Sequence, residues 1–322
     1  MVIPCFRVKN QILAVIDAIQ DDVEFIFVID DKCPDGTGDY VETCCNDKRV
    51  VVLRHPANQG VGGAVMTGYK AAMKAGADII VKIDGDGQMD ARLIPFFIEP
   101  IIKGEADYTK GNRFFFIDEL RSMPMLRFFG NSVLSFCSKA SSGYWTIFDP
   151  TNGFTAIHAN VVQLLPFASI SKRYFFETDM LFRLNIIRAV VVDIPMDAKY
   201  GDEQSNLKIS KIVAEFAFKH LRNFAKRIIY NYYLRDLSLA SFELPLGLTL
   251  MLGGAIFGLS RWVAGAHIGA TATAGTVMLA ALPFLAGLQL ILAFLGYDIS
   301  SAPRRPIYKS LRRAKLLDAE TR

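Results

Sequence analysis

Cysteine is scarce in this 322-residue chain, and the few present do not pair up. Cys5, Cys33, Cys44, Cys45 and Cys137 form neither a CxxC spacing nor an even set. That argues against a disulfide framework and fits reduced thiols in a cytosolic compartment. No signal-peptide pattern opens the chain, so the N-terminal part is expected on the same side. A strong charge of one sign is also missing. The net charge is only +4, and the basic residues cluster beside apolar stretches, which points to anionic lipid as their neighbour and away from nucleic acid. Charge is absent altogether from "GTVMLAALPFLAGLQLILAFLGY" (275–297), and "LPLGLTLMLGGAIFGLSRWVA" (244–264) carries only Arg261. Each is near the ~20 apolar residues that cross a bilayer as a helix; the alternative is a pair of buried helices in a globular core. The link between them, "GAHIGATATA", has no Lys or Arg, whereas the following "SAPRRPIYKSLRRAK" is strongly basic. By the positive-inside bias the pair reads as a hairpin whose two ends are cytoplasmic.

Glycine and proline are missing from Lys208 to Glu243. Val213, Phe216, Leu221, Phe224, Ile228 and Tyr232 recur there at helical spacing, opposite Lys219, Arg222, Lys226 and Arg227. The pattern is that of a basic amphipathic helix lying in the headgroup region, or of a helix packed on the domain before it. The expected organisation is a domain at 1–210, amphipathic interfacial helices at 211–243, a transmembrane hairpin at 244–299 and a basic tail at 300–322.

In the first half, "VEFIFVID" (23–30), "RVVVLRH" (49–55) and "ADIIVKID" (77–84) are apolar and β-branched, as strands buried on both faces should be. Helix-like segments at 9–20, 37–46 and 61–76 separate them. The alternation predicts an α/β fold, a mainly parallel sheet with helices on both faces. "MVIPCF" leaves room only for a first strand that is unusually short, or one whose start is missing. Ligands in such sheets bind beyond the carboxyl ends of the strands, where the acidic clusters at 30–31 and 84–86 fall. In "VKIDGDGQMD" (81–90) three aspartates surround two glycines. Like charges so close invite a divalent cation such as Mg²⁺ or Mn²⁺, which favours carboxylate and amide oxygens; the plainer reading is an acidic turn. "HPANQGVGGA" (55–64) can offer backbone N–H groups at Gly60, Gly62 and Gly63 to a phosphate, or simply hold a tight loop. It lacks the third glycine of a dinucleotide fingerprint, and "PCFRVKN" after the first strand lacks that fingerprint entirely, which argues against a nicotinamide-binding dehydrogenase.

Taken in order, these segments resemble family-2 glycosyltransferases of the GT-A fold, and among them the polyprenyl-phosphate glycosyltransferases, the group of dolichyl-phosphate mannose synthase and undecaprenyl-phosphate sugar transferases. The resemblance covers residues 2–210 by motif and the hairpin by architecture. It implies transfer of a sugar from a UDP- or GDP-linked donor to a polyprenyl phosphate, with inversion. The enzyme would be an integral membrane protein with its catalytic domain cytoplasmic, as at a bacterial inner membrane. "IPCF" (3–6) stands where the family cradles the nucleotide, with Pro4 and Phe6 in contact and Arg7 and Val8 replacing the usual Asn and Glu. In "VIDDKCPDGT" (28–37), the resemblance makes Asp31 the acceptor from the base N–H and Asp35 the brace of the turn, Cys33 replacing a serine. Gly60 would belong to the donor loop. "DGDGQ" matches the D-x-D-x-Q metal motif, which assigns Asp84 to the ribose or metal, Asp86 and Gln88 to the metal, and Gly85 to the nucleotide-sugar site. "TKGNRFF" supplies Arg113 for the acceptor phosphate, "MLRFFGNS" supplies Arg127 and Ser132, and Lys208 lies in the loop that closes over it. Asp149 of "DPTNGF" would face the reaction centre, although Thr155 departs from the arginine that often follows. Glu177 and Asp179 stand near the family's acceptor-side base, in structural or orienting roles if the acceptor is already an anion. Other readings are a family-2 enzyme with a lipid or glycan hydroxyl acceptor and a non-catalytic membrane scaffold. A processive synthase is disfavoured because "SRWV" lacks the Gln of Q-x-x-R-W. Two lone spans could also associate into a homo-oligomer through "GLTLMLGGAIFG".

Overall fold

The structure is a computed structural model and describes residues 1–115, 125–197 and 209–311. Two compact units make up the chain: Met1–Phe224 with the segment that begins at Pro303, and Ala225–Ala302. In the first unit, strands β1 (Val2–Cys5), β2 (Ile26–Asp30), β3 (Val50–Arg54), β4 (Ile79–Lys82), β5 (Tyr108–Asn112), β6 (Thr155–His158) and β7 (Val191–Pro195) form one sheet in the order β3-β2-β1-β4-β6-β5-β7. All neighbours pair in parallel except β6, which runs antiparallel to both β4 and β5. The sheet is thus mainly parallel, as the β-branched runs predict. β1 and β2 are buried along their whole length, because helices cover both faces. Helices Val61–Lys74 and Phe176–Ile186 pack one face through Val65, Tyr69, Met180 and Leu184. Ile12–Asp17 and Ile94–Lys103 pack the other through Ile12, Ile16, Phe97 and Ile101. Phe97 stacks on Phe154 at 3.8 Å between ring centroids.

β5, "YTKGN", carries none of the apolar signal of the first strands, yet all five residues are buried. It sits between β6 and β7, so tertiary position rather than composition makes it a strand. At the opposite end of the chain, Ile307 and Tyr308 return to the first unit. Their N–H groups donate to the Asp107 carboxylate at 2.9 and 3.0 Å, alongside that of Val190 at 2.8 Å. The Tyr308 ring lies on His158, and its hydroxyl donates to the Ile101 carbonyl at 2.7 Å. This part of the basic tail is core, not a free appendage.

The second unit holds helices Ala240–Ile268 and Ala274–Ser300, both long and apolar enough to cross a membrane. Only 11% of each apolar window is buried, which argues against a pair of soluble core helices. Gly269 turns the chain with φ 64°, and the Thr273 hydroxyl caps the second helix by accepting from the Thr276 N–H. The backbones approach so closely that a side chain on Gly287 would meet the Met251 nitrogen at 2.5 Å, and one on Gly254 the Ala280 carbonyl at 2.6 Å. The glycines Gly247 and Gly254 of "GLTLMLGGAIFG" are therefore spent inside the hairpin.

The stretch without Gly or Pro is not one helix. Ile209–Ile229 runs into a wider turn at Tyr230–Arg235, Asp236 is extended, and the chain restarts at Ala240. The Ser241 hydroxyl stabilises that break, donating to the Tyr232 carbonyl at 2.5 Å and accepting from the Ser238 N–H at 3.1 Å. Arg227, placed by periodicity on the basic outer face, is instead buried and grips Asp298 with both terminal nitrogens, at 2.5 and 3.0 Å. A long-range carboxylate captured it, which helical spacing alone cannot foresee.

Candidate active site

The carboxyl ends of β1, β2 and β4 enclose a cavity of about 570 Å³. Pro4, Phe6, Asp31, Gly60, Asp84, Gly85 and Asp86 all line it, joined by Asn58, Arg173 and Tyr174. Its shape comes from short-range ties between loops. After β1, Arg7 takes a left-handed conformation with φ 61°, and its N–H donates to the Cys33 sulfur at 3.1 Å. Burial opposes ionisation of the Cys33 thiol, but hydrogen bonds from Thr37 and from backbone N–H groups outweigh it and hold the pKa below the usual range. The turn after β2 is braced by Asp30, whose carboxylate accepts from the Cys33 and Gly38 N–H groups at 2.7 and 2.8 Å. Asp35, expected in that role, is exposed. Asp31 lies at the cavity wall with its carboxylate already shared: Oδ1 pairs with His55 Nδ1 at 2.7 Å and accepts from the Gln59 N–H at 2.8 Å, and Oδ2 accepts from the Gly60 N–H at 2.7 Å.

The glycine loop holds another loop instead of offering its N–H groups to a ligand. Those of Gly62 and Gly63 donate to the Lys172 carbonyl at 2.9 and 3.2 Å. At Gly60, with φ 84°, a side chain would also meet that carbonyl at 2.5 Å. Of the two uses open to these glycines, the tight loop is the one observed.

Beyond β4, Asp84 lies 2.8 Å from the Lys82 ammonium, and Asp86 Oδ1 accepts from the Gln88 N–H at 3.0 Å. Among the described residues no three His, Cys, Asp or Glu side chains gather as a complete metal cage. Two carboxylates on one loop with an amide beside them still fit a hard cation, since Mg²⁺ is commonly held by one or two carboxylates plus substrate phosphates and water.

Next to this cavity, β5 and the Asp149 turn form a charged cluster. Arg113 donates to both Asp149 oxygens, at 2.8 and 3.1 Å, and its N–H reaches Oδ2 at 3.2 Å. Asp149 is fully buried; burial would raise its pKa, but Arg113 outweighs burial and holds it below the usual range. Glu177 is partly buried, 3.4 Å from Lys82, and desolvation raises its pKa despite the lysine. Asp179 is not among the residues lining the cavity. Its oxygens accept from the Ser171 N–H at 2.8 Å and the Asn223 amide at 2.9 Å, pinning the start of helix Phe176–Ile186. Ser132 lies on helix Met125–Ser142, half-buried. The side chain of Arg127, on the same helix, and the whole of Lys208 lie outside the described residues.

Residues 1–165 match Glycosyl transferase family 2. The chain belongs to this family. It is 28% identical over 216 residues to the UDP-N-acetylglucosamine–dolichyl-phosphate N-acetylglucosaminyltransferase of Methanococcus voltae, covering 63% of this chain and 86% of that one. To the undecaprenyl-phosphate mannosyltransferase of Micrococcus luteus it is 30% identical over 173 residues, covering 53% and 70%. Among solved structures, glucosyl-3-phosphoglycerate synthase from Mycobacterium tuberculosis in complex with Mn²⁺, UDP and glucosyl-3-phosphoglycerate superposes with a TM-score of 0.53 at 17% identity, over 70% of this chain and 78% of that chain. That likeness establishes the GT-A fold.

In this glycosyltransferase, several buried polar groups escaped sequence reasoning. Lys82 ends the apolar strand β4 and Lys110 lies in the middle of the unremarkable strand β5, where a lysine inside "IIVK" is the one available signal. Burial alone would lower the Lys82 pKa, but Asp84 and Glu177 raise it on balance. Lys110 donates to the Asn152 carbonyl at 2.7 Å, and burial lowers its pKa to about 8. His55 and Arg173 were likewise missed, since nothing local marks them.

Proposed function

We propose that this glycosyltransferase moves a sugar from a UDP- or GDP-linked donor to a polyprenyl phosphate at the cytoplasmic membrane face, with inversion. The observation that carries the reading is the cavity at the ends of β1, β2 and β4, where Pro4, Phe6, Asp31 and Gly60 meet Asp84, Gly85 and Asp86. The donor's nucleoside would lie against Phe6 and Asp31, and its diphosphate beside the two carboxylates. Asp84, Asp86 and Gln88 would hold Mg²⁺ or Mn²⁺, which when bound supplies Lewis-acid stabilisation to the departing diphosphate. Two relatives named for polyprenyl-phosphate acceptors support the acceptor class. Arg113 and Arg127 are assigned to the acceptor phosphate, with Ser132 and Lys208.

In the transfer, a phosphate oxygen bonds to the anomeric carbon on the face opposite the bond to the diphosphate. That bond breaks, and the nucleoside diphosphate leaves with the electron pair. A phosphate whose second pKa is near ~6 is largely a dianion at neutral pH and sheds no proton. The engagement of Asp149 by Arg113 and of Asp179 by Ser171 and Asn223 supports a reaction that needs no general base. Glu177 would become the base if the acceptor were a hydroxyl. The membrane reading is supported by connectivity: the chain leaves the first unit at Phe224, runs through two long apolar helices and re-enters the first unit at Pro303. An even number of crossings has this form. Incubating the detergent-purified chain with a panel of UDP- and GDP-sugars, Mn²⁺ and a short polyprenyl phosphate should yield a glycolipid of the summed mass. A product formed only with hydroxyl acceptors would replace the acceptor class.

A further inference from the structure

The cavity has an acidic wall and needs a counter-charge for any phosphate bound in it. The backbone of the glycine loop does not provide one, because the Gly60 N–H is held by Asp31 and those of Gly62 and Gly63 by the Lys172 carbonyl. Most nearby cations are engaged elsewhere: Lys82 by Asp84 and Glu177, Lys110 by the Asn152 carbonyl, Arg113 by Asp149 and Lys172 by Gln59, while Arg7 lies over the Phe6 ring and does not line the cavity. Arg173 is the one basic residue among those lining the cavity. Its side chain is exposed, and among the described residues no hydrogen bond or ion pair holds its guanidinium. Its backbone, by contrast, is fixed from both sides. The Lys172 carbonyl takes the two glycine N–H groups, the Ser171 N–H is held by Asp179, and the Arg173 carbonyl accepts from the Phe176 N–H at 2.8 Å. Gly60 completes the fit, since a side chain there would meet the Arg173 side chain at 2.9 Å.

We infer that Arg173 is the phosphate-binding cation of this cavity, and that the glycine loop serves to set it there. The inference rests on the cavity being the donor site. A guanidinium suits the task because its planar fork can donate two hydrogen bonds to one phosphate. On this reading Asp179, which does not line the cavity, acts by holding the loop that carries Arg173.

The test uses the full chain in detergent, with UDP, GDP and a short polyprenyl phosphate as separate probes, titrated by calorimetry in Mn²⁺. Uridine and guanosine serve as phosphate-free controls. Arg173→Met should weaken one class of phosphate ligand by about tenfold or more, the scale of a lost charge-assisted hydrogen bond, while nucleoside binding and melting temperature stay unchanged. Arg173→Lys should recover part of the loss, keeping the charge but not the fork. Weakened nucleoside diphosphate binding assigns the donor's phosphates to Arg173; weakened lipid phosphate binding assigns the acceptor's. Equal affinity of the wild type and Arg173→Met for all three probes overturns the inference while leaving the donor site standing. A wild-type chain that binds neither UDP nor GDP overturns the donor site and this inference with it.

Discussion

At Asp86 the chain commits a carboxylate that accepts from the Gln88 N–H within its own loop and faces the cavity. Asp86→Ala should reduce sugar transfer to background and remove the Mn²⁺ dependence of nucleoside diphosphate binding. Unchanged activity after exhaustive chelation would remove the metal from the scheme. Glu177 and Asp179 differ from it in kind. Glu177→Gln should keep turnover within about tenfold of the wild type, since general-base assistance, worth ~10²–10⁴-fold, is not called on by a dianionic acceptor. Asp179→Asn should lower stability by roughly 1–3 kcal/mol, the cost of leaving a buried partner unsatisfied, as a fall in melting temperature with turnover retained at low temperature. A thousandfold loss in folded Glu177→Gln would mean that the acceptor is a hydroxyl.

Among the elements, the β5–β7 pair is where buried charge shapes pH dependence. Asp193 on β7 accepts from the Phe148 N–H at 3.0 Å and the Asn112 amide at 3.2 Å. Burial, the largest influence, lifts its pKa from 3.8 to about 6. The folded state therefore binds this proton more tightly than the unfolded chain. The associated stability is present below about pH 3.8 and lost as pH rises through about 6. Asp193→Asn removes the titration, so the wild type should lose on the order of 2–3 kcal/mol relative to the variant between pH 4 and 7. Melting curves of both across that range measure the difference; parallel curves would show that the carboxyl has the same pKa in the folded and unfolded states.

For the molecule as a whole, the return of the chain after the hairpin matters most. Asp107 is fully buried and collects N–H groups from Val190, Ile307 and Tyr308, which joins the far end of the sequence to the sheet. Burial still raises its pKa against these three bonds. Tyr308→Ala removes a buried ring and should destabilise the first unit by roughly 3–5 kcal/mol, read by thermal melting of the full chain in detergent. Tyr308→Phe, losing only the hydrogen bond to Ile101, should cost about 1 kcal/mol. If 303–311 were merely a tether, neither variant would move the melting temperature. Chains ended before Pro303 to make a soluble catalytic fragment should be unstable for the same reason, with Asp107 stripped of two of its three backbone partners.

What the sequence by itself determined was local. β-branched runs separated by helical patterns were enough for a mainly parallel sheet and for an acidic Asp84–Asp86 loop at the carboxyl edge where the cavity lies, because strand burial and turn chemistry are written within ten or so residues. Two uncharged stretches were likewise enough for the apolar hairpin. The tertiary structure alone decided which polar groups meet. Arg113 and Asp149 lie 36 residues apart, Lys82 and Glu177 95, and Asp107 and Tyr308 201. No periodicity connects such pairs. The same holds for β5, whose residues become a buried strand only because β6 and β7 flank it, and for Arg227, drawn inward by Asp298. Arg173 is the functional instance: an ordinary exposed arginine in the sequence, it becomes the cavity's one lining cation only when glycines 110 or so residues earlier clasp the carbonyl beside it. Buried hydrogen-bonding groups must find partners wherever the fold brings them, and that requirement is satisfied in space, not along the chain.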